Sequence, residues 1–165
     1  MIRGIHHVSL HVRDLDAMAD FYCKAFNFTD TGFKGGWSDA PELDEIVGVP
    51  NSAASSRMLV AGNCYLELFR YSNPVPDDGA PPGEPYTNGY THFCVDVTEI
   101  EREVERLAKL GMTFDRPHGQ GRPVDVGIVK AIYGRDLEGN LIELQETSPD
   151  CDFDARHLPR ANLAS

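Results

Sequence analysis

The sequence predicts an α+β protein built from two βαβββ modules related by a pseudo-twofold. Three observations predict it. Two stretches begin alike at a fixed offset of 85 residues, two later stretches end alike, and a segment rich in proline and glycine separates the halves. At 165 residues the chain is long enough for one shared core or two small modules. Its 41% apolar and 25% charged residues are ordinary for a folded chain, which argues against wholesale disorder.

The first half opens with His7-Val8-Ser9-Leu10-His11-Val12-Arg13-Asp14, the second with His92-Phe93-Cys94-Val95-Asp96-Val97-Thr98-Glu99. In each, a histidine starts an alternating strand and a capping residue follows. Leu15, Met18, Tyr22 and Ala25 then form a helical apolar stripe behind Asp14, and Ile100, Val104, Leu107 and Leu110 form its counterpart. Thr98 and Glu101 have the spacing of a T-x-x-E capping box. Lys24 and Lys109 close the two helices at the same offset. Tyr65-Leu66-Glu67-Leu68 closes the first half. Leu141-Ile142-Glu143-Leu144 closes the second, after the hairpin turn Asp136-Leu137-Glu138-Gly139-Asn140. Between helix and last strand each half has room for two more strands, Arg57 to Val60 being one and Gly127 to Tyr133 another. Residues 31–56, with Gly35, Gly36, Pro41 and Pro50 around the sole tryptophan, Trp37, read as a long loop, either a lid or substrate-binding loop or a passive surface insertion.

The expected organisation is a first module at 1–72, a linker at 73–89 holding Pro74, Pro76, Pro81, Pro82 and Pro85, a second module at 90–147 and a peripheral tail at 148–165.

Side chains alternate along a strand, so Val8, Leu10 and Val12 cover the first helix while His7, Ser9 and His11 point the other way. By the same rule Leu66 and Leu68 leave Tyr65, Glu67 and Phe69 on the far face. Phe93, Val95 and Val97 leave His92, Cys94 and Asp96 there, and Ile142 and Leu144 leave Leu141, Glu143 and Gln145. Four strands thus each carry one metal-capable group, His7, Glu67, His92 and Glu143, away from the helices. Paired about a pseudo-twofold, the modules form a concave eight-stranded sheet around one cleft where these groups converge. An unpartnered buried imidazole or carboxylate costs several kcal/mol, and two facing carboxylates repel; a divalent cation relieves both. Two nitrogen and two oxygen donors suit Zn, Ni, Co, Mn or Fe(II).

Charge and motifs exclude other classes. With 26 acidic against 15 basic residues the net charge is −11, a surface that repels phosphate backbones and anionic lipid. No apolar run approaches the roughly 20 residues of a membrane helix, and the first residues lack the apolar core of a signal peptide. Cys23, Cys64, Cys94 and Cys151 are scattered, which predicts reduced thiols and a cytoplasmic location. No phosphate-binding glycine motif is present, so no nucleotide cofactor is expected; Gly119-Gln120-Gly121 is followed by Arg122-Pro123, which opens no helix.

The pattern resembles the vicinal oxygen chelate superfamily, which includes glyoxalase I, methylmalonyl-CoA epimerase, extradiol dioxygenases, fosfomycin-resistance enzymes and bleomycin-binding proteins. The resemblance spans roughly residues 3–147. It is carried by His7-Val8 leading into Val12-Arg13-Asp14-Leu15, by Asn88-Gly89-Tyr90-Thr91-His92, and by Asp136-Leu137-Glu138-Gly139-Asn140-Leu141-Ile142-Glu143-Leu144. Leu137 stands where the family's turn often has proline. Carried over by position, the metal ligands are His7, Glu67, His92 and Glu143.

The resemblance implies a metal-dependent lyase or isomerase of the glyoxalase I or methylmalonyl-CoA epimerase type, acting through an enolate or enediolate of a small oxygenated substrate. Glu143 and Glu67 would be its proton-transfer groups. Ser9, His11, Tyr65, Phe69, Tyr90, Cys94 and Tyr133 would line the substrate pocket. Arg13, Arg57, Arg70, Arg122 and Arg135 are the arginines that could hold substrate carboxylates. A homodimer is expected, with no nucleic-acid or membrane partner. Two alternatives accompany this reading: an Fe(II) ring-cleaving dioxygenase with His11 as acid–base, and a non-catalytic small-molecule binder of the resistance type.

Overall fold

The structure, a computed structural model, describes residues 4–77, 79, 83–86, 88–114 and 121–157. Pro81 and Pro82 of the expected linker, Gly119 and Gln120, and tail residues 158–165 lie outside the described residues. Its contacts divide the chain into two compact units, Met1–Ala80 and Pro81–Ser165.

In the first unit β1 (His7–His11) leads into α1 (Leu15–Phe26), then β2 (Thr29–Trp37), α2 (Pro41–Val47), β3 (Ala53–Val60) and β4 (Tyr65–Asn73). The sheet order is β1-β4-β3-β2, with β1 parallel to β4 and the other neighbours antiparallel. In the second unit β5 (Phe93–Asp96) leads into α3 (Ile100–Lys109), then β6 (Val124–Asp125), β7 (Val129–Arg135) and β8 (Leu141–Thr147). The order β5-β8-β7-β6 repeats the first topology, again with one parallel pair. Two four-stranded mixed sheets with α-helices bear out the α+β, two-module reading.

The helical stripe forms as the sequence predicts. Asp14 caps α1, its Oδ1 accepting from the Asp16 and Ala17 backbone amides at 3.1 and 3.0 Å. The helix ends at Asn27, whose left-handed backbone (φ 56°) suits an asparagine. Met18, Ala19, Phe21, Tyr22 and Ala25 are buried with Leu59, Leu66 and Leu68. Arg57 ties the helix to the sheet by pairing with Asp16 and Asp30. In the second unit Ile100, Val104 and Leu107 are buried, as are Ile132, Ile142 and Leu144.

Two expectations are corrected. The stretch 31–56 is not a loop: it completes β2, forms α2 and begins β3. Gly35 and Gly36 read as breakers in the sequence, yet both pair in the ladder with β3. Gly35 is needed there, because a Cβ would come within 2.6 Å of the Phe33 ring and 2.5 Å of Ser56 Oγ. The Thr98–Glu101 capping box does not form either. The N-cap is Glu99, in a left-handed conformation (φ 55°) without a side-chain cap of its own. Glu146, on β8, accepts from the amides of Glu99 (2.9 Å) and Ile100 (3.1 Å) instead, and Glu101 pairs with Lys130 at 2.9 Å. A carboxylate delivered by tertiary structure outcompetes the local one because it reaches two orphan amides at once.

The turn before β8 is built as predicted. Asp136 Oδ1 accepts from the backbone amides of Glu138 and Asn140, both at 2.9 Å, and Gly139 takes the positive φ (91°) that closes it.

Candidate metal half-sites

Strand register puts the candidate donors side by side within each unit. In the parallel pair β1–β4, Ser9 lies opposite Glu67 and His7 opposite Tyr65. In β5–β8, Cys94 lies opposite Glu143. Leu66 and Leu68, and likewise Ile142 and Leu144, are buried on the helix side, so the glutamates between them face away from it. His7 Nε2 then lies 3.3 Å from Glu67 Oε2, and His92 Nε2 lies 3.1 Å from Glu143 Oε2. Both glutamates are mostly shielded, with 14% and 18% of their side chains exposed, against 41% for His7 and 27% for His92.

The donor spacing fits a cation. Ligands about 2.1 Å from one metal, at angles between about 90° and 109°, stand about 3.0–3.4 Å apart. Both observed separations fall in that window, and both pairs combine imidazole nitrogen with carboxylate oxygen. Among the described residues no three such groups cluster together; each unit brings one imidazole and one carboxylate side by side.

Each imidazole is held from its other nitrogen by the residue before it. Thr91 Oγ1 is 2.9 Å from His92 Nδ1, and His6 Nδ1 is 2.9 Å from His7 Nδ1. In the tautomer that donates Nδ1–H to Thr91, Nε2 carries the lone pair on the side of Glu143. Tyr133, directly across from Glu143 on β7, adds its hydroxyl 3.3 Å from His92 Nε2 and its ring edge-on to the imidazole at 4.9 Å. His6 and Thr91 are supporting residues that sequence reading overlooked; their signal was the position just before each histidine.

The other expected pocket residues distribute unevenly. The Tyr65 ring packs against His6 with centroids 5.1 Å apart and planes tilted by 34°. Phe69 joins Trp37 and Tyr71 in an aromatic cluster; Trp37 was expected only as part of a long loop, and Tyr71 not at all. His11 Nε2 accepts the Tyr71 backbone N–H at 3.3 Å. Tyr90 stands before β5 and is largely exposed. Desolvation, then the Glu143 and Asp96 carboxylates, push the Cys94 thiol up to about 12, so it is no thiolate near neutrality, although the residue reaches the surface. Of the arginines, Arg57 is committed to Asp16 and Asp30 and Arg135 to Glu84, while Arg122 borders a cavity of about 200 Å³ with Phe114, Val124 and Tyr133.

The model of the Glyoxalase/Bleomycin resistance protein/Dioxygenase superfamily matches residues 4–144. The chain belongs to this superfamily. Solved structures agree on the superfamily fold. A glyoxalase family protein from Bacillus cereus is 21% identical with a TM-score of 0.69, over 89% of this chain and 95% of that one. A glyoxalase family protein from Enterococcus faecalis is 25% identical with a TM-score of 0.58, over 87% and 98%. The fosfomycin resistance protein FosX from Listeria monocytogenes, crystallised with Mn(II) and a sulfate ion, is 17% identical with a TM-score of 0.55, over 90% and 96%. No curated protein matches the sequence significantly. The matched span includes His7, Glu67, His92 and Glu143.

Proposed function

We propose that this superfamily member is a divalent-metal-dependent lyase or isomerase that moves a proton at the carbon beside a substrate carbonyl. His7, Glu67, His92 and Glu143 are its protein ligands, supplied by one chain or by two copies. The observation that carries this reading is the duplicated His–Glu pair, at 3.3 Å in one unit and 3.1 Å in the other, on equivalent strands. The Mn(II) in the FosX crystal agrees with a divalent cation in this superfamily. A cation held there would draw electron density from a substrate oxygen and so acidify the neighbouring C–H.

The chain's own groups supply the rest. His7, Glu67, His92 and Glu143 would hold such a cation, leaving room on it for two neighbouring substrate oxygens. In this reading Glu143, shielded from solvent beside His92, takes a proton from that C–H, and Glu67 returns one. Thr91 and His6 keep the imidazoles turned toward the glutamates. The ring-cleaving alternative asks His11 to act as acid–base, but its Nε2 already accepts a backbone amide of β4.

The test joins metal analysis to isotope exchange. Purified protein should bind close to one equivalent of Zn, Ni, Co or Mn per four-ligand set, with His7→Ala and His92→Ala each weakened at least about tenfold. In D₂O the loaded protein should place deuterium on the carbon next to the carbonyl of a 2-oxo thiohemiacetal or an α-chiral acyl thioester. Wild-type affinity in both variants would remove the metal set. Oxygen uptake on catechols by iron-loaded protein would replace the lyase reading with ring cleavage.

A further inference from the structure

Beside the His7–Glu67 pair, on the same face of the first sheet, lies a group of rings that the proton-transfer chemistry does not use. Phe69 and Tyr71 follow Glu67 on β4 at steps of two, each step about 7 Å along the strand. Trp37, on β2, meets both: its ring centroid is 5.8 Å from each, edge-on at 81° to Phe69 and 89° to Tyr71. Phe69 and Tyr71 are 5.9 Å apart. Small residues lie beneath them. Ala54, across from both Trp37 and Tyr71, and Ser56, across from Phe69, are each 5% exposed, while the three rings keep part of their surface open.

The indole is held in place by a polar chain. Trp37 Nε1–H donates to Ser52 Oγ at 2.7 Å, and Ser52 Oγ–H donates to Asp44 Oδ1 at 2.6 Å. Asp44 also accepts the backbone amides of Ser52 and Asn51, both at 2.7 Å. Ser52 is 1% exposed. The insertion of α2 between β2 and β3 therefore ends in a brace that fixes one ring. Core packing under α1 does not call for such a brace, because that core is on the other face of the sheet.

We infer that Trp37, Phe69 and Tyr71 form a subsite for an uncharged aromatic ring of the substrate, with Ser52 and Asp44 as positioning residues. The inference rests on the proposed function for the oxygens, which the His7–Glu67 pair would help bind, and adds the group attached to them. Three edge-to-tilted rings offer a fourth ring the same edge and face contacts they make with one another. Among the described residues, the positions of β1 to β4 that share this face carry no lysine or arginine, so a peptide carboxylate finds no permanent cation there. The spacing along β4 places the ring about one two-residue step, about 7 Å, from the oxygens.

The sole tryptophan makes the test direct, since emission excited at 295 nm reports Trp37 alone. Zn-loaded protein is titrated with 3-phenyllactate and with lactate, which share the oxygen pair and differ in the ring. Binding of 3-phenyllactate should be tighter by on the order of tenfold and should change Trp37 emission to saturation. Phe69→Leu and Tyr71→Leu should abolish most of that difference while Zn affinity stays within about threefold. Ser52→Ala, which leaves every ring in place, should shift Trp37 emission to the red and reduce the preference. Metal-free protein titrated with benzyl alcohol separates the two readings. A saturable, Phe69-dependent response in a protein that binds no Zn keeps the subsite and overturns the metal set. Equal binding of lactate and 3-phenyllactate by a Zn-binding protein overturns the subsite alone, as does a Trp37 emission that changes with protein concentration and ignores both ligands.

Discussion

Nε2 of His92 lies 3.1 Å from Oε2 of Glu143, across 51 residues of sequence and two neighbouring parallel strands. The same relation recurs between His7 and Glu67 at 3.3 Å. The duplication matters because a single imidazole–carboxylate contact is an ordinary surface ion pair, worth about 0–1 kcal/mol. Two at equivalent positions of repeated modules, each with its Nδ1 held from behind, are a pattern that ion pairing alone does not require.

The residue behind His92 should matter for metal and not for folding. Thr91→Val keeps the shape of the side chain and removes the oxygen 2.9 Å from Nδ1. Metal affinity should fall by about 10–100-fold, the usual cost of losing such support. Calorimetric titration with Co(II), with thermal unfolding as control, checks it; an unchanged affinity would show that Thr91 does not orient the ring.

Glu143→Gln should separate binding from turnover. The amide keeps the size and one oxygen donor but cannot accept the proton. Metal content should persist while turnover falls by about 10²–10⁴, and deuterium exchange from D₂O should be lost. Exchange at the wild-type rate would hand the base to Glu67.

Helix α3 should depend on Glu146 more than on Thr98. Glu146→Ala leaves the amides of Glu99 and Ile100 without their carboxylate and should cost about 0.5–2 kcal/mol in urea denaturation. Thr98→Ala should stay within about 0.5 kcal/mol. The reverse order would restore the capping box read from the sequence.

Acid should destabilise the fold below about pH 4. Hydrogen bonds from Arg156 and Thr147 hold the Asp154 carboxyl well below its ordinary 3.8. A hydroxyl from Ser52 does the same for Asp44, and the Gly32 amide with Arg57 for Asp30. A carboxyl whose folded value is depressed contributes stability that is full above the unfolded value and is lost as pH falls through the folded one. Asp96 runs the other way, raised by desolvation and by Asp154, and offsets part of this. Melting temperatures between pH 2 and 6 should therefore fall below pH 4, and Asp154→Asn should flatten that fall.

Cys94 should react slowly. With its thiol pushed up to about 12, alkylation by iodoacetamide at pH 7.5 should lag well behind that of a free cysteine with an ordinary thiol. Alkylation at the free-cysteine rate would contradict the desolvated environment beside Glu143.

Much of the fold was legible because alternation and helical stripes are local. The runs around Val8-Ser9-Leu10 and Leu66-Glu67-Leu68 assign faces without knowledge of the partner strand, and the offset of 85 residues duplicates the module. The segment 31–56 was not legible, because Gly35, Gly36 and Pro41 carry the signature of a loop. Gly35 sits in a strand only because the Phe33 ring and Ser56 occupy the space of its missing side chain. Pro41 is the first residue of α2, where a proline's missing amide has no partner to lose.

The sequence by itself determined which side chains leave the helix face: His7, Glu67, His92 and Glu143 follow from a two-residue period and nothing else. Tertiary structure decided which of them meet. The parallel registers of β1 with β4 and of β5 with β8 bring each histidine to its glutamate, and a slip of one residue would have turned the glutamates into the core. It also decided that Glu146 caps α3, that Thr91 and His6 stand behind the imidazoles, and that Ser52 and Asp44 hold Trp37 against Phe69 and Tyr71. These are contacts between groups far apart along the chain or dependent on side-chain direction, where no local period carries information and only the packed backbone fixes the distance.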